Sequence, residues 1–230
     1  MQRKMTPAIR KRLVQIGFLV LIQAVLLFLS VWKWNWWNAW AYLGTYLAFL
    51  ASNAVFLLGK HKELVEERSR IGEGTKGWDL VIGSIAAFGG LAILILAGLD
   101  ERFGWLGNLP LWVHISGLVL LVASYPLFIW AMASNKYFAT TVRIQKERGH
   151  IVQTGGPYRF VRHPGYASLL VSYLSLPIAL GSLWAVIPAV VLVSNLFVRT
   201  VLEDRTLENE LDGYKEYGVR VRYRLIPGIW

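Results

Sequence analysis

Five long stretches without a charged residue interrupt this 230-residue chain, and they constrain its fold more than any other feature. Four of these stretches have between 19 and 25 residues each. A helix needs about 20 residues to cross the hydrocarbon core of a bilayer, so each stretch predicts one transmembrane helix. The four predicted helices cover residues 13–31, 39–58, 80–99 and 109–133.

The fifth stretch, residues 165–198, has 34 residues and is too long for a single helix across a membrane. Gly181 and Ser182 lie near its middle, with Pro177 and Pro188 on either side. Glycine and proline are tolerated in membrane helices, but a cluster of them indicates a turn. We therefore predict a helical hairpin of two short spans, which gives an all-α integral membrane protein with about six crossings.

The positions of the positive charges support six crossings. Of the 24 lysine and arginine residues, 22 fall in residues 1–12, 59–77, 134–164 and 199–230. Six crossings place these four segments on one side of the membrane, whereas a single crossing for residues 165–198 separates the last segment from the others. Because positive segments favour the cytosol, we predict cytosolic termini in a cytoplasmic membrane, expected to be a bacterial inner membrane.

Composition narrows the chemistry that the chain can perform. The formal net charge of +10 indicates contact with membrane lipid rather than nucleic acid, because no soluble basic domain is present. The absence of cysteine excludes disulfides, thiolate metal sites and a cysteine nucleophile. The GEGTKG segment, residues 72–77, resembles a phosphate-binding loop only superficially, since no strand is predicted before it. Chemistry is therefore expected in the two longest polar stretches, residues 134–164 and 199–230.

Residues 149–166, with the sequence GHIVQTGGPYRFVRHPGY, hold the densest group of candidate functional side chains. Their glycines and prolines prevent a continuous helix and predict a shaped loop. Anchoring at the membrane surface explains arginine beside lipid phosphate and tyrosine at the interface. Two histidines and two tyrosines exceed what anchoring requires, so a ligand-binding role stays open beside it. The candidates are His150, Tyr158, Arg159, Arg162, His163 and Tyr166.

The helix predicted after the hairpin carries a second candidate pair. Arg199 is the first charge after the 34-residue stretch, and Glu203 lies four residues later on the same helical face. The pair is either an exposed ion pair of little consequence or a cation and an anion that orient a polar ligand beside a lipid. The tail after this helix, residues 219–230, alternates basic and apolar residues and is predicted to pack back on the protein.

Together, GPYRFVRHPGY, the hairpin, the Arg-x-x-x-Glu helix and GYKEY resemble the isoprenylcysteine carboxyl methyltransferase family and the related phospholipid methyltransferases, over roughly residues 143–230. The resemblance implies that S-adenosyl-L-methionine binds in a cytosolic pocket capped by the C-terminal helix and tail. It implies Arg199 as the acceptor-orienting residue and Gln145 as a further candidate cofactor contact. The implied cofactor-binding residues are His150, Ile151, Val152, Gln153, Tyr158, His163, Pro164, Gly165, Tyr166 and Glu203.

The resemblance divides the chain into an N-terminal four-helix transmembrane region, residues 1–133, and a methyltransferase core, residues 134–230. Two positions depart from the family pattern, because Ser168 replaces a common glycine and Asp204 replaces the second glutamate of a Glu-Glu pair. The acceptor is expected to be a lipophilic small molecule or a lipidated partner at the membrane.

The chemistry of methyl transfer suits such a site, because a sulfonium methyl is already electrophilic. Transfer needs in-line positioning and exclusion of water, with no metal. O-methylation of a carboxylate is favoured, since it needs no general base. N-methylation of an amine headgroup remains open, with His163 as the nearest base.

Two other functions remain open at this point. The tail YRLIPGIW resembles that of membrane sterol reductases, and Arg220, Arg222 and Arg224 are available for the extra phosphate of NADPH. A membrane scaffold without enzymatic activity is the other alternative.

Overall fold

The computed structural model describes residues 6–60, 62–69, 71–105, 107 and 109–230, and all regular elements in this part of the chain are helical. This confirms the predicted fold class. Arg3, Lys4 and Arg70, which contribute to the positive charge of two predicted cytosolic segments, lie outside the described residues. The α-helices are α1 Pro7–Val31, α2 Trp37–Lys60, α3 Lys62–Glu67, α4 Gly77–Phe103, α5 Leu111–Ala133, α6 Pro164–Leu180, α7 Val186–Glu210 and α8 Tyr214–Arg220. Two short 3-10 helices, Lys146–Arg148 and Gly156–Arg159, lie between α5 and α6.

Five of the described helices, α1, α2, α4, α5 and α7, are long and apolar enough to cross a membrane. The sixth apolar helix, α6, has 17 residues, the lower end of what a span requires. The number of crossings therefore stays a prediction, and so does the cytosolic location of the termini. Large apolar side chains such as Phe18, Val55, Phe88 and Val119 point outward, as expected for a surface in contact with lipid.

Helices α6 and α7 form the predicted hairpin. Gly181 follows α6 in a left-handed conformation, with φ of +76°, and α7 begins after four more residues. A Cβ atom on Gly181 would lie 2.1 Å from His114 of α5, so only glycine fits this turn. His114 is in turn held by Asn38 of α2, whose Nδ2 donates to its Nδ1 at 2.8 Å. An interhelical hydrogen bond therefore accounts for His114 within an apolar helix.

The bundle packs through small and branched side chains at its centre. Gly117 of α5 lies so close to α6 that a Cβ atom would be 2.3 Å from the backbone nitrogen of Ala179. Leu27 of α1, Leu94 of α4 and Leu192 of α7 meet in the main core cluster. This packing joins α1, α4, α5, α6 and α7 into one bundle.

The C-terminal tail returns to the start of α6. The backbone nitrogens of Arg162 and His163 donate to the carbonyls of Tyr223 and Arg224, both at 2.9 Å. The Trp230 ring packs edge-on against Phe197 of α7, with ring centroids 4.9 Å apart. The tail therefore packs back on the protein and encloses the polar end of the bundle together with α8.

Candidate active site

A cavity lies at the polar end of the bundle, between the loop that joins α5 to α6 and the ends of α7 and α8. It contains about 840 Å³ of space, part of it open to solvent. Gln145 also lines it. Of the predicted site residues, the following line this active-site cavity: His150, Val152, Gln153, Tyr158, His163, Gly165, Tyr166, Arg199 and Glu203.

Two predicted cofactor contacts lie outside the lining. Ile151 is 59% exposed, and Pro164 is buried in the first turn of α6. Proline is well suited to that first turn, because it lacks the backbone donor that has no partner there. Its position indicates that it sets the direction of α6, on which Gly165 and Tyr166 follow.

Asp204 is the centre of a buried network beneath the cavity. Its Oδ1 lies 2.9 Å from Nε2 of His163 and accepts from the hydroxyl of Tyr214 at 2.7 Å. Its Oδ2 pairs with Nη1 of Arg162 at 2.7 Å and with Nε of Arg224 at 2.5 Å. One carboxylate therefore joins α7, α8, the loop and the tail.

Burial raises the pKa of Tyr214, and the nearby Asp204 raises it further. The Tyr214 hydroxyl therefore keeps its proton and acts as a donor to the carboxylate. The bond to Asp204 also occupies Nε2 of His163, so only the other ring nitrogen is left for a ligand.

Tyr166 and Glu203 bring α6 and α7 together at the cavity. The Tyr166 hydroxyl donates to Oε2 of Glu203 at 2.5 Å. The ring of Tyr166 stacks parallel to that of His163, with centroids 5.5 Å apart and an angle of 4°. The Arg199 guanidinium also lies over the Tyr166 ring, with its Cζ 5.3 Å from the ring centroid. The Glu203 carboxylate is therefore the group of this pair that favours a cationic ligand group.

Arg199 pairs with an acid that the sequence did not single out. Its Nε lies 2.8 Å from Oδ1 of Asp79, in the first turn of α4, and its Nη2 donates to the carbonyl of Thr140 at 3.0 Å. Oδ2 of Asp79 also accepts from the backbone nitrogen of Val142 at 2.7 Å. The ion pair considered with Glu203 is therefore replaced by one with Asp79, because the guanidinium turns towards α4.

His150 lies in the loop wall of the cavity. Its Nδ1 accepts from the backbone nitrogen of Gln145 at 3.3 Å, and its ring contacts that of Tyr137, with centroids 4.3 Å apart. Burial, followed by the nearby Arg143 and Arg148, lowers the pKa of His150 to about 4. His150 is therefore neutral at pH 7, as its role as a hydrogen-bond acceptor requires.

The loop that carries His150 is fixed from below by a buried ion pair. Nη2 of Arg143 contacts Oε1 of Glu67 at 2.5 Å, and the two side chains are 2% and 4% exposed. Gln145 is almost completely buried and donates to the carbonyl of Tyr137 at 2.7 Å. These contacts shape the loop without any regular structure.

Sequence reasoning missed Asp79, Asp204 as a network centre, Tyr137, Tyr214 and Tyr217. A signal existed for Asp79, since an acid that directly precedes an apolar stretch needs a cation if it is buried. Tyr214 and Tyr217 belong to the GYKEY segment that contributes to the family resemblance, but only tertiary packing brings α8 to the loop.

The arginines considered for NADPH do not form a phosphate site in this cavity. Arg220 and Arg222 are exposed, and neither lines the cavity. Arg224 is committed to Asp204. The reductase alternative thereby loses the residues on which it rested.

Most of the residues that line the cavity lie in a part of the chain that matches a known protein family. Residues 112–212 match the phospholipid methyltransferase family, and the match covers nearly all of α5, the loop, and the hairpin with all of α7. Asp79, α8 and the tail lie outside the match. A comparison with curated proteins found no significant match. Residues 112–212 are thus similar to the phospholipid methyltransferase family, the group that the RHPGY loop and the Arg-x-x-x-Glu helix resemble.

Proposed function

We propose that this protein transfers the methyl group of S-adenosyl-L-methionine to a lipophilic acceptor at the polar end of the bundle. The observation that carries the proposal is the position of Arg199 and Glu203. They lie one turn apart on α7 and line the same cavity, where the apolar bundle meets its polar cap. A cofactor and the polar end of a lipid would be neighbours there.

The residues present fit the cofactor. Glu203 offers an oxygen to a ligand ammonium or hydroxyl, because Tyr166 occupies only the other one. The ring of Tyr158 offers an aromatic surface to a sulfonium, whereas that of Tyr166 already lies against His163 and the Arg199 guanidinium. Neutral His150 can accept a hydrogen bond. When bound, the cofactor supplies an electrophilic methyl group. Gln153, Val152 and His163 complete the walls that would orient it and exclude water.

Arg199 is proposed to hold an anionic group of the acceptor. Asp79 and the Thr140 carbonyl engage its Nε and Nη2, which leaves Nη1 without an acceptor among the described residues. A carboxylate on the acceptor can therefore bind at Nη1, in a guanidinium whose orientation is already fixed. We favour a carboxylate, because it attacks without a general base. An amine needs a base, and Asp204 already engages one nitrogen of His163.

The test is turnover by Arg199→Lys in purified protein supplied with labelled S-adenosyl-L-methionine and membrane lipid extract. We expect unchanged affinity for S-adenosylhomocysteine and a loss of methyl incorporation of at least tenfold, because the single nitrogen of lysine lacks the planar fork that holds Asp79 and an acceptor in one fixed geometry. Arg205→Lys is the matched control, since Arg205 is exposed on the same helix. Near-normal incorporation by Arg199→Lys would leave Arg199 as a membrane anchor and overturn its proposed role.

A further inference from the structure

A second cavity lies inside the bundle, away from the active-site cavity. One part, of about 810 Å³, is enclosed by α1, α2, α5 and the segment around α3. A second part, of about 1090 Å³, extends between α1, α2, α4, α5 and α6. The two parts share Leu19, Tyr46, Phe49 and Phe128 in their walls, so they lie side by side between the same helices. We call this space the apolar cavity, because carbon-rich side chains form nearly all of its wall.

Two arginines line one end of the apolar cavity, Arg12 of α1 and Arg68 directly after α3. Within the described part of the chain, no carboxylate lies within ion-pair distance of either guanidinium. Arg68 instead lies over the ring of Phe138, with its Cζ 5.3 Å from the ring centroid. Two cations that face an apolar space without an anion are costly unless a ligand supplies the charge.

The electrostatics of Arg68 agree with a missing anion. Burial, followed by the nearby positive charges of Arg12 and Arg199, lowers the pKa of Arg68 to about 10. The guanidinium remains charged at pH 7, in a region where its neighbours repel it. A bound phosphate would offset both effects.

A third polar group completes the same end of the cavity. Asn53 of α2 lines it, and its Oδ1 is buried without a hydrogen-bond partner. An unfilled acceptor next to two cations matches a headgroup that carries a phosphate and also a hydroxyl donor. Phosphatidylglycerol has both groups, together with acyl chains that suit the apolar wall.

We propose that the apolar cavity binds an anionic phospholipid, with its phosphate on Arg12 and Arg68, its hydroxyl donor at Asn53 and an acyl chain between the helices. Leu13 and Leu19 on α1 are about 40% exposed, so the cavity is reachable from the surrounding lipid. Phe128 and Phe138, whose rings meet edge-on with centroids 5.4 Å apart, separate it from the active-site cavity. The proposed lipid is therefore a structural ligand that stabilises the fold, and it is distinct from the methyl acceptor.

The experiment is thermal unfolding of delipidated protein in detergent, with phosphatidylglycerol, phosphatidylcholine or inorganic phosphate added. We expect phosphatidylglycerol to raise the unfolding temperature at concentrations where the other two have no effect. In Arg68→Gln and in Arg12→Gln, the same rise in unfolding temperature should require at least tenfold more phosphatidylglycerol. Arg10→Gln, an exposed arginine on the same helix, is the matched control and should respond as the unaltered protein does.

Three outcomes would overturn the proposal. Equal stabilisation by inorganic phosphate would indicate a simple anion site, and equal stabilisation by phosphatidylcholine would indicate bulk lipid. Methylation of the co-purified lipid on addition of S-adenosyl-L-methionine would make it the acceptor. Should Arg68→Gln lose its helical circular dichroism, Asn53→Leu provides the test, since it keeps both charges and removes only the hydroxyl contact.

Discussion

The arginines of the two cavities differ in how their charge is neutralised. Around the active-site cavity, Arg143 contacts Glu67, Arg162 contacts Asp204 and Arg199 contacts Asp79, each at 2.5–2.8 Å. At the apolar cavity, Arg12 and Arg68 have no carboxylate partner among the described residues. The first cavity is thus shaped by charges that the chain itself supplies, whereas the second has charges for which we propose a lipid ligand.

The difference has a physical basis. A buried charge without a partner loses its hydration and gains nothing in return, so a site that must keep its shape between ligands needs internal pairs. The loop over the active-site cavity has little regular structure, and ion pairs replace backbone ladders in holding it. The apolar cavity is held by long helices and does not depend on its arginines for shape.

The largest effect is expected from Asp204→Asn, which removes the charge shared by Arg162, Arg224 and His163. Loss of one partner leaves buried cations unpaired, and we expect a destabilisation of about 3–5 kcal/mol. Thermal unfolding followed by circular dichroism measures it. Asp212→Asn, at an exposed position just beyond α7, is the control. Equal unfolding temperatures for the two variants would mean that the network does not hold the polar end together.

A second substitution makes Arg199 resemble the arginines of the apolar cavity. Asp79→Asn removes its carboxylate partner while the amide oxygen can still accept from Val142. We expect turnover to fall by about tenfold or more with nearly unchanged affinity for S-adenosylhomocysteine, since Asp79 acts by positioning Arg199. Measuring both turnover and the affinity for S-adenosylhomocysteine tests whether Asp79 acts only by positioning Arg199. Loss of both in proportion would indicate a general structural role, whereas loss of neither would separate Asp79 from the reaction.

The loop of the active-site cavity should also show a pH dependence that the apolar cavity lacks. His150 has a pKa of about 4 in the folded protein, against about 6.5 in an unfolded chain. Between these values the unfolded state binds more protons, so stability falls as the pH falls from about 6.5 to 4. His150→Gln lacks this ionisable group, so the unfolding temperature of the variant should fall less steeply between pH 6.5 and 4 than that of the unaltered protein. Parallel curves for the two proteins would contradict the prediction.

The smallest effect is expected from an ion pair at the surface of the same region. Nζ of Lys76 contacts Oε1 of Glu210 at 2.7 Å, but both side chains are partly exposed. Exposed pairs contribute about 0–1 kcal/mol, so Lys76→Gln should leave thermal unfolding nearly unchanged. If Lys76→Gln lowered the stability as much as Asp204→Asn does, burial would not determine how much an ion pair contributes to the stability.

The sequence predicted the helices well because the bilayer limits them so strongly. Uncharged length alone located α1, α2, α4 and α5, and the glycine and prolines around residue 181 located the hairpin. The loop 149–166 was recognised from its composition, and most of its predicted side chains line the cavity. Ile151 and Pro164 do not, because a stretch of sequence does not show which side of an irregular loop faces inward.

The pairings could not be predicted, because they join distant parts of the chain. Asp79 lies 120 positions before Arg199, and in the sequence it resembles an ordinary acid in the first turn of a helix. The i,i+4 rule suggested Glu203 instead, since it describes isolated helices and not a bundle in which α4 packs beside α7. The unpaired state of Arg12 and Arg68 is visible only once every nearby acid has been placed.

The most direct test of the account is ligand-induced thermal stabilisation of the detergent-purified protein. S-adenosylhomocysteine should raise the unfolding temperature in a concentration-dependent manner, and NADPH should not. The stabilisation should be lost in Glu203→Gln and Tyr166→Phe, which remove the carboxylate and the hydroxyl at the cavity, and kept in Arg205→Lys. Stabilisation by NADPH, or none by S-adenosylhomocysteine at millimolar concentration, would contradict the proposal that this cavity holds the methyl donor.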